Sequence, residues 1–380
     1  MLSKKILANN RLKIVFRADA SIRTGTGHIM RCLALAGKLS EKGAMTYFIC
    51  RESPGDLCSY LGKKGYRVFR ILGNALKKKE TKSPEDIDYP SAEWEKDALE
   101  TADILDSLQK VDWLIVDNYG IDFRWEEKMR SHVEKIMVID DLADRRHDCD
   151  ILLDQNLYDN QEKRYNDLLP EGCLRLLGPG HTLLRQEFYE AGKKKRSRHG
   201  NVRRILVFFG GSDESNETAK ALEAIRLIDR AEIIIDVVVG KNNPNKEAIE
   251  KQCMKSANIN YYCQVDNMAE LISRADLSIG AGGSSMWERC ALGLPSIIIT
   301  IAHNQVEASS VLARKGAAWY AGPSEDVEAD GLALLLKEVI HNKDSLKMAE
   351  KRALELMGGV LNMDSTPLMR IILETGYAES

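Results

Sequence analysis

The chain has 380 residues, 44% of them hydrophobic and 29% charged, a composition that excludes wholesale disorder. At roughly 150 residues per domain, the length predicts two domains. Lysine and arginine number 54 against 57 acidic residues, a net charge of −3, which excludes a global basic field for nucleic acid or an anionic membrane. A local anion site is not excluded.

The eight cysteines lie mostly in apolar segments, with no CxxC pair and no His-x3–5-His pair, so zinc patterns are absent. They read as buried free thiols of a cytoplasmic protein. The N-terminal MLSKKILANNRLKIVF lacks the continuous apolar core of a signal peptide. The longest apolar run, Pro295 to Ala302, falls short of the ~20 residues of a membrane span. No nucleic-acid or membrane partner and no metal or other cofactor is expected, and a monomer is.

KIVF at 13–16 predicts a strand, followed by the loop SIRTGTGH and a helix whose apolar positions Met30, Leu33, Leu35 and Leu39 share a face until Gly43 stops it. MTYFIC predicts a strand, DLCSYLGKKG a helix and YRVFRIL a strand. Residues 74–93 are polar with two prolines and predict a long surface loop. WEKDALETADILDSLQK restores helical spacing. VDWLIVDNYG, KIMVIDDLAD and CDILLDQNL are apolar strands, the first two ending in acidic turns. A basic, polar stretch follows and predicts a solvated linker over 186–202.

Then RILVFFGGSDESN begins a fresh series of strands and helices that runs through DLSIGAGG, SSMWERCALGL and PSIIITIA into a helical tail. Alternation of this kind predicts parallel sheets with helices on both faces. The expected fold class is α/β: two Rossmann-like domains facing across a cleft. The first spans 1–185 and carries the loop SIRTGTGH. The second spans 203–380.

Four constellations are candidates for chemistry. Arg17, Asp19, Gly25, Gly27, His28 and Arg31 surround a strand-to-helix turn. Glycines there admit a ligand close to the backbone, and the helix N-terminus favours an anion and a neutral imidazole, the form a general base needs. A purely structural cap for His28 is the competing reading. Only Gly25-x-Gly27 is present, so the dinucleotide fingerprint is absent. Asp117, Asn118, Tyr119 and Gly120 end a buried strand, as do Asp140 and Asp141; turn bonding competes with ligand binding at both. Gly210, Gly211 and Ser212 open a helix whose N–H groups are candidates for phosphate, a tight turn being the alternative. Gly280 to Ser285, with Glu288 one turn on, form another such opening, and a carboxylate there suits two ribose hydroxyls. His303, Asn304 and Gln305 end the next strand.

In chain order, FRADASIRTGTGHIMRCLALA, LIVDNYGID, VIDDLADRRHDCDILLDQNL, GPGHTLLRQEF, FFGGSDESNETAKALEAI, GAGGSSMWERCALGLP and AHNQ resemble the UDP-sugar hydrolases of pseudaminic acid biosynthesis. Enzymes of that family remove UDP from UDP-2,4-diacetamido-2,4,6-trideoxy-β-L-altropyranose. The resemblance implies the GT-B architecture and a UDP-sugar substrate. It implies His28 as the base that activates water for inverting attack at the anomeric carbon. It also implies a sugar-side set of Asp19, Gly25, Gly27, Arg31, Asp117, Asn118, Tyr119, Asn304 and Gln305. The implied UDP set is Arg185, Gly210, Gly211, Ser212, Ser284, Ser285 and Glu288. The chain departs from the family pattern at Gly180, where arginine is usual, and at Asp364–Leu368. A GT-B glycosyltransferase using the same donor, or a non-catalytic nucleotide-sugar-binding module, are the alternatives.

Overall fold

In the computed structural model, residues 11–22, 24–72, 91–194, 196–361 and 367–374 are described. Residues 74–90 of the loop expected over 74–93 and residues 364–366 of the departure lie outside them; residues 91–93, expected in that loop, open a helix instead.

The first unit is built on a seven-stranded sheet, parallel throughout. Its chain order is β1 (Lys13–Ala18), α1 (Gly27–Glu41), β2 (Met45–Arg51), α2 (Cys58–Lys63), β3 (Arg67–Ile71), α3 (Ser91–Leu108), β4 (Val111–Asp117), α4 (Phe123–Met129), β5 (Val133–Ile139), β6 (Ile151–Asp154) and β7 (Leu174–Leu177). The strands lie in the order β3-β2-β1-β4-β5-β6-β7. Alternate residues of these strands, such as Val15, Ile49, Leu114, Val116, Ile136 and Val138, pack one face against Leu105, Trp125 and Met129 of the helices. Strand β7 was not legible: four residues at a sheet edge, two of them exposed, leave no continuous apolar run.

The second unit contains α5 (Gln186–Lys193), β8 (Arg204–Phe208), α6 (Glu217–Ile228), β9 (Ile234–Val239), α7 (Lys246–Cys253), β10 (Ile259–Cys263), α8 (Met268–Arg274), β11 (Leu277–Ala281), α9 (Ser284–Ala291), β12 (Ser296–Thr300), α10 (Val306–Arg314), β13 (Trp319–Pro323), α11 (Ala329–His341) and α12 (Lys343–Leu356). Its six strands are parallel in the order β10-β9-β8-β11-β12-β13. Val207, Val237, Ile279, Ile297 and Ile299 form the core with Leu222, Ile225, Leu332 and Leu336.

The solvated linker expected over 186–202 is corrected. Helix α5 belongs to the second unit, as do the residues that follow it. Glu187 accepts from the Ala269 N–H at the start of α8 at 3.0 Å. Arg198 is buried and donates to the carbonyls of Ile272, Ala275, Leu292 and Gly293. Arg198 therefore ties helix ends together, and charge count alone could not distinguish that from solvation. The tail also differs from expectation: α13 (Pro367–Glu374) groups with the first unit, not the second. Among the described residues, no helix is long and apolar enough to cross a membrane.

Candidate functional sites at two topological switch points

In each sheet the chain winds outward in opposite directions from two adjacent strands, β1 and β4 in the first, β8 and β11 in the second. Ligands in open parallel sheets bind beyond the carboxyl ends of such a pair. The sequence motifs fall there. Ala18 of β1 pairs with Asp117 of β4, and Phe208 of β8 with Gly280 of β11.

At the first switch point, Ser21 and Gly25 pair to close the loop, with the Gly25 N–H donating to Ser21 at 2.9 Å. Helix α1 starts at Gly27 with no side-chain cap from Thr26. His28 thus stands in the first turn, largely buried at 8% exposure. Its Nδ1 lies 2.6 Å from Asp117 Oδ1. An ionised carboxylate only accepts, so Nδ1 carries the proton and the lone pair of the neutral ring sits on Nε2. Arg31 Nη2 passes 3.3 Å from the same Nδ1, but both are donors, and Asp117 Oδ1 between them takes both. Tyr119 packs edge-on against the His28 ring at a centroid distance of 4.5 Å.

Asp117 was expected to contact substrate; the structure corrects this. Its carboxylate has no exposed surface and is consumed by His28, by Arg31 at 2.5 and 2.6 Å, and by the Cys32 thiol. Burial pushes its carboxyl up, but Arg31 and His28 outweigh burial and hold it well below the usual carboxylate range. The result is a permanent anion that orients the imidazole. Burial pulls the Arg31 guanidinium down, and Asp117 more than reverses that. Asp19 and Asn118 build the same rim. Asp19 accepts from Arg17 at 2.6 Å, the Arg51 N–H at 2.6 Å and Asn118 Nδ2 at 2.8 Å, while Asn118 Oδ1 accepts from the Gly120 N–H.

Two carboxylates that the sequence reading did not assign complete this layer. Asp141, just beyond β5, accepts from the Tyr119 hydroxyl at 2.7 Å and from Arg31 at 3.4 Å. Burial and then Asp141 raise the Tyr119 phenol well above its ordinary range, so it remains a donor. Asp97 of α3 binds Arg17, Arg51 and the Trp125 indole N–H beneath Asp19. A strand ending in an acidic turn signalled Asp141. Nothing signalled Asp97, one acidic residue in a helix 80 positions from Arg17.

At the second switch point, Gly210 has φ +92°, a conformation that favours glycine, and it turns the chain sharply after β8. The expectation that the N–H groups opening α6 hold phosphate is corrected. Asp213 occupies them, accepting from the Glu217 N–H at 2.9 Å, the Thr218 N–H at 3.1 Å and the Thr218 hydroxyl at 2.6 Å. Gly210, Gly211 and Ser212 form the turn that precedes this capping residue.

The opening of α9 is different. Gly283 caps it with no side-chain hydrogen bond, Ser284 is exposed, and Ser285 and Glu288 are half-buried. Gly282 is walled in: a Cβ there would come 2.3 Å from Ser309 Oγ and 3.2 Å from Gln305 Cβ. Gln305 Oε1 accepts from the Ile301 N–H at 3.1 Å, which fixes its side chain beside Gly282 and Gly283. Asn304 is half-buried in the adjacent short turn, and Arg185 is half-buried at the end of the first unit. Among the described residues, no group of three or more His, Cys, Asp or Glu is arranged to hold a metal.

Residues 205–358 match the glycosyltransferase family 28 C-terminal domain. The chain is 27% identical over 307 residues to a UDP-2,4-diacetamido-2,4,6-trideoxy-β-L-altropyranose hydrolase of Campylobacter jejuni, covering 80% of this chain and 97% of that protein. It is 23% identical to the spore coat polysaccharide biosynthesis protein SpsG of Bacillus subtilis, over 85% of this chain and 87% of that one. An uncharacterized protein of Methanocaldococcus jannaschii is 27% identical over 76% of this chain, which spans about half (55%) of that relative's length. The motif-level resemblance to the UDP-sugar hydrolases thus extends along most of the chain. Among solved structures, MurG of Acinetobacter baumannii superposes with a TM-score of 0.59 at 14% identity, over 93% of this chain and 99% of that one. UGT2 of Phytolacca americana gives 0.63 at 13%, over 96% and 99%. The fold is GT-B.

Proposed function

We propose that the protein hydrolyses a UDP-linked 2,4-diacetamido-2,4,6-trideoxy sugar to the free sugar and UDP, in nonulosonic (pseudaminic) acid biosynthesis. The observation that carries this reading is the His28–Asp117 pair at 2.6 Å, which fixes the tautomer and leaves Nε2 as a base. His28 Nε2 takes a proton from water, and the hydroxide attacks the anomeric carbon with inversion. The C–O bond to UDP breaks, and its electron pair leaves with the diphosphate. With a terminal phosphate pKa of about 6, UDP departs as a stable anion and needs no acid partner. One base then suffices where ordinary glycosidases use two carboxylates.

Within this reading, Tyr119, Asn118 and the Gly25–Gly27 loop shape the sugar side. Ser284, Ser285 and the first turn of α9 hold the diphosphate, Glu288 takes the ribose hydroxyls, and Arg185, Asn304 and Gln305 add polar contacts. The second reading, transfer of the sugar to an organic acceptor, is favoured by the family 28 match over 205–358. The test is incubation with the UDP-altropyranose substrate and its epimers, without acceptor, followed by NMR. Free sugar and UDP in equal amounts are expected. No turnover until an acceptor is added supports transfer, and binding without turnover refutes both.

A further inference from the structure

Four arginines are buried among the described residues: Arg17, Arg31, Arg198 and Arg289. Three of them face carboxylates. Arg17 meets Asp19 and Asp97, Arg31 meets Asp117 and Asp141, and Arg198 lies 3.5 Å from Glu350. Arg289, at 2% exposure, is hydrogen-bonded to neutral acceptors: the Ala281 carbonyl at 2.7 Å, Ser296 Oγ at 3.1 Å and Ser285 Oγ at 3.2 Å. Burying a cation without an anion is costly, because neutral dipoles replace only part of its hydration. Burial accordingly pulls its guanidinium down to about 10, with Cys290 and Glu288 opposing. It still carries its charge at neutral pH.

The position of that charge is informative. The guanidinium lies beside the β8–β11 switch point: a Cβ on Gly280 would come 3.0 Å from Arg289 Nη1 and 2.4 Å from the Phe208 carbonyl. It sits under the first turn of α9, whose start has no side-chain cap. Because Arg289 donates to Ser285 Oγ, that hydroxyl keeps its own proton to donate outward, and Ser285 is half-exposed. Cation, hydroxyl and helix dipole therefore act in the same sense.

We infer that Arg289 is an anion-binding determinant of the second unit, supplying from beneath α9, through Ser285, the positive charge that holds a nucleoside diphosphate by its phosphates. The inference rests on the UDP reading above and names a residue that acts without touching the ligand. It is a positioning and electrostatic role. A core arginine kept only for packing would leave the discrimination between UDP and uridine unchanged on replacement.

The test is calorimetric titration of the full chain with UDP and, separately, with uridine. Wild type is expected to bind UDP more tightly than uridine. Arg289→Met is expected to weaken UDP about 10- to 100-fold, the range for losing a charge-assisted contact, with uridine affinity unchanged. Ser285→Ala, which removes a half-exposed hydroxyl and spares the core, is expected to weaken UDP by a smaller factor in the same selective way. It keeps the test decisive should Arg289→Met fail to fold. If wild type binds UDP but either folded variant keeps the wild-type ratio of UDP to uridine affinity, the inference is overturned while the UDP reading stands. If wild type binds neither ligand, the UDP reading itself falls and the inference with it.

Discussion

Replacing Asp117 by asparagine changes one oxygen into an NH2 group and leaves the shape intact. The two oxygens of Asp117 accept from His28 Nδ1, from Arg31 Nη2 and from Arg31 Nε at 2.6, 2.6 and 2.5 Å. An asparagine cannot satisfy all three. If its NH2 group faces Arg31 Nε, two donors meet. If it faces His28, it also meets Arg31 Nη2, and His28 is driven to the other tautomer, with the proton on the nitrogen assigned as base. The first arrangement keeps an acceptor for His28 Nδ1 but breaks the Arg31 Nε contact, the second removes that acceptor, and both lose the carboxylate charge that holds the imidazole in place. A positioned general base contributes about 10²–10⁴ in rate, so kcat for UDP release should fall by up to that factor. Removing one partner of a buried ion pair costs about 3–5 kcal/mol, and the asparagine, together with Asp141 near Arg31, should hold the loss to the lower end. The assay pairs kcat with thermal unfolding and with UDP affinity. A folded Asp117→Asn protein with unchanged UDP affinity and a kcat within about threefold of wild type would mean that Asp117 does not hold the base in place.

Other consequences are equally direct. Asp141→Ala removes the carboxylate that accepts from the Tyr119 hydroxyl and with it a restraint on the ring edge against His28; kcat should drop about tenfold, and adding Tyr119→Phe should cost little more because the two act through one contact. Asp97 is lowered to about 2 because Arg17 and Arg51 outweigh the effect of burial. A depressed carboxylate stabilises the fold above its unfolded pKa, and that contribution, about 2 kcal/mol, is lost as pH falls from about 4 to about 2. Urea midpoints measured from pH 5 to 2.5 should therefore fall less steeply in Asp97→Asn than in wild type; parallel slopes would contradict the shift. Asp213→Ala strips three hydrogen bonds from the start of α6 and should cost about 1–2 kcal/mol, or about 2–8 °C in the melting temperature of the second unit. A phosphate-bearing helix start at that position would instead show lost UDP affinity with little change in melting.

The strands and helices with strong periodicity were legible in the sequence, as was the location of the functional motifs at strand ends. Buried parallel strands such as LIVD and SIIIT announce themselves as continuous apolar runs. Strand β7 did not, since a four-residue edge strand with exposed Leu174 and Arg175 has no such run. The GTGH and GGSS turns were placed by their glycines. What the sequence hid was who partners whom. Asp117 looked like a group awaiting a ligand or a turn, yet it orients His28 from 89 residues away, and the helix start that looked open after Ser212 is capped by Asp213. The basic stretch from Lys193 to Arg203 looked solvated because Arg198 is anchored by backbone carbonyls, which leave no mark in the side-chain pattern. Arg289 was invisible for the same reason: its partners are a carbonyl and two serines.

The role of His28 is decided by the rate of UDP release from the UDP-diacetamido-trideoxy sugar, without any acceptor, for wild type and His28→Ala side by side. Both proteins must bind UDP equally, since the second unit is untouched. Steady release by wild type and a fall on the order of 10²–10⁴ in the variant are expected. Equal rates in the two proteins would contradict the assignment of His28 as the base that activates water.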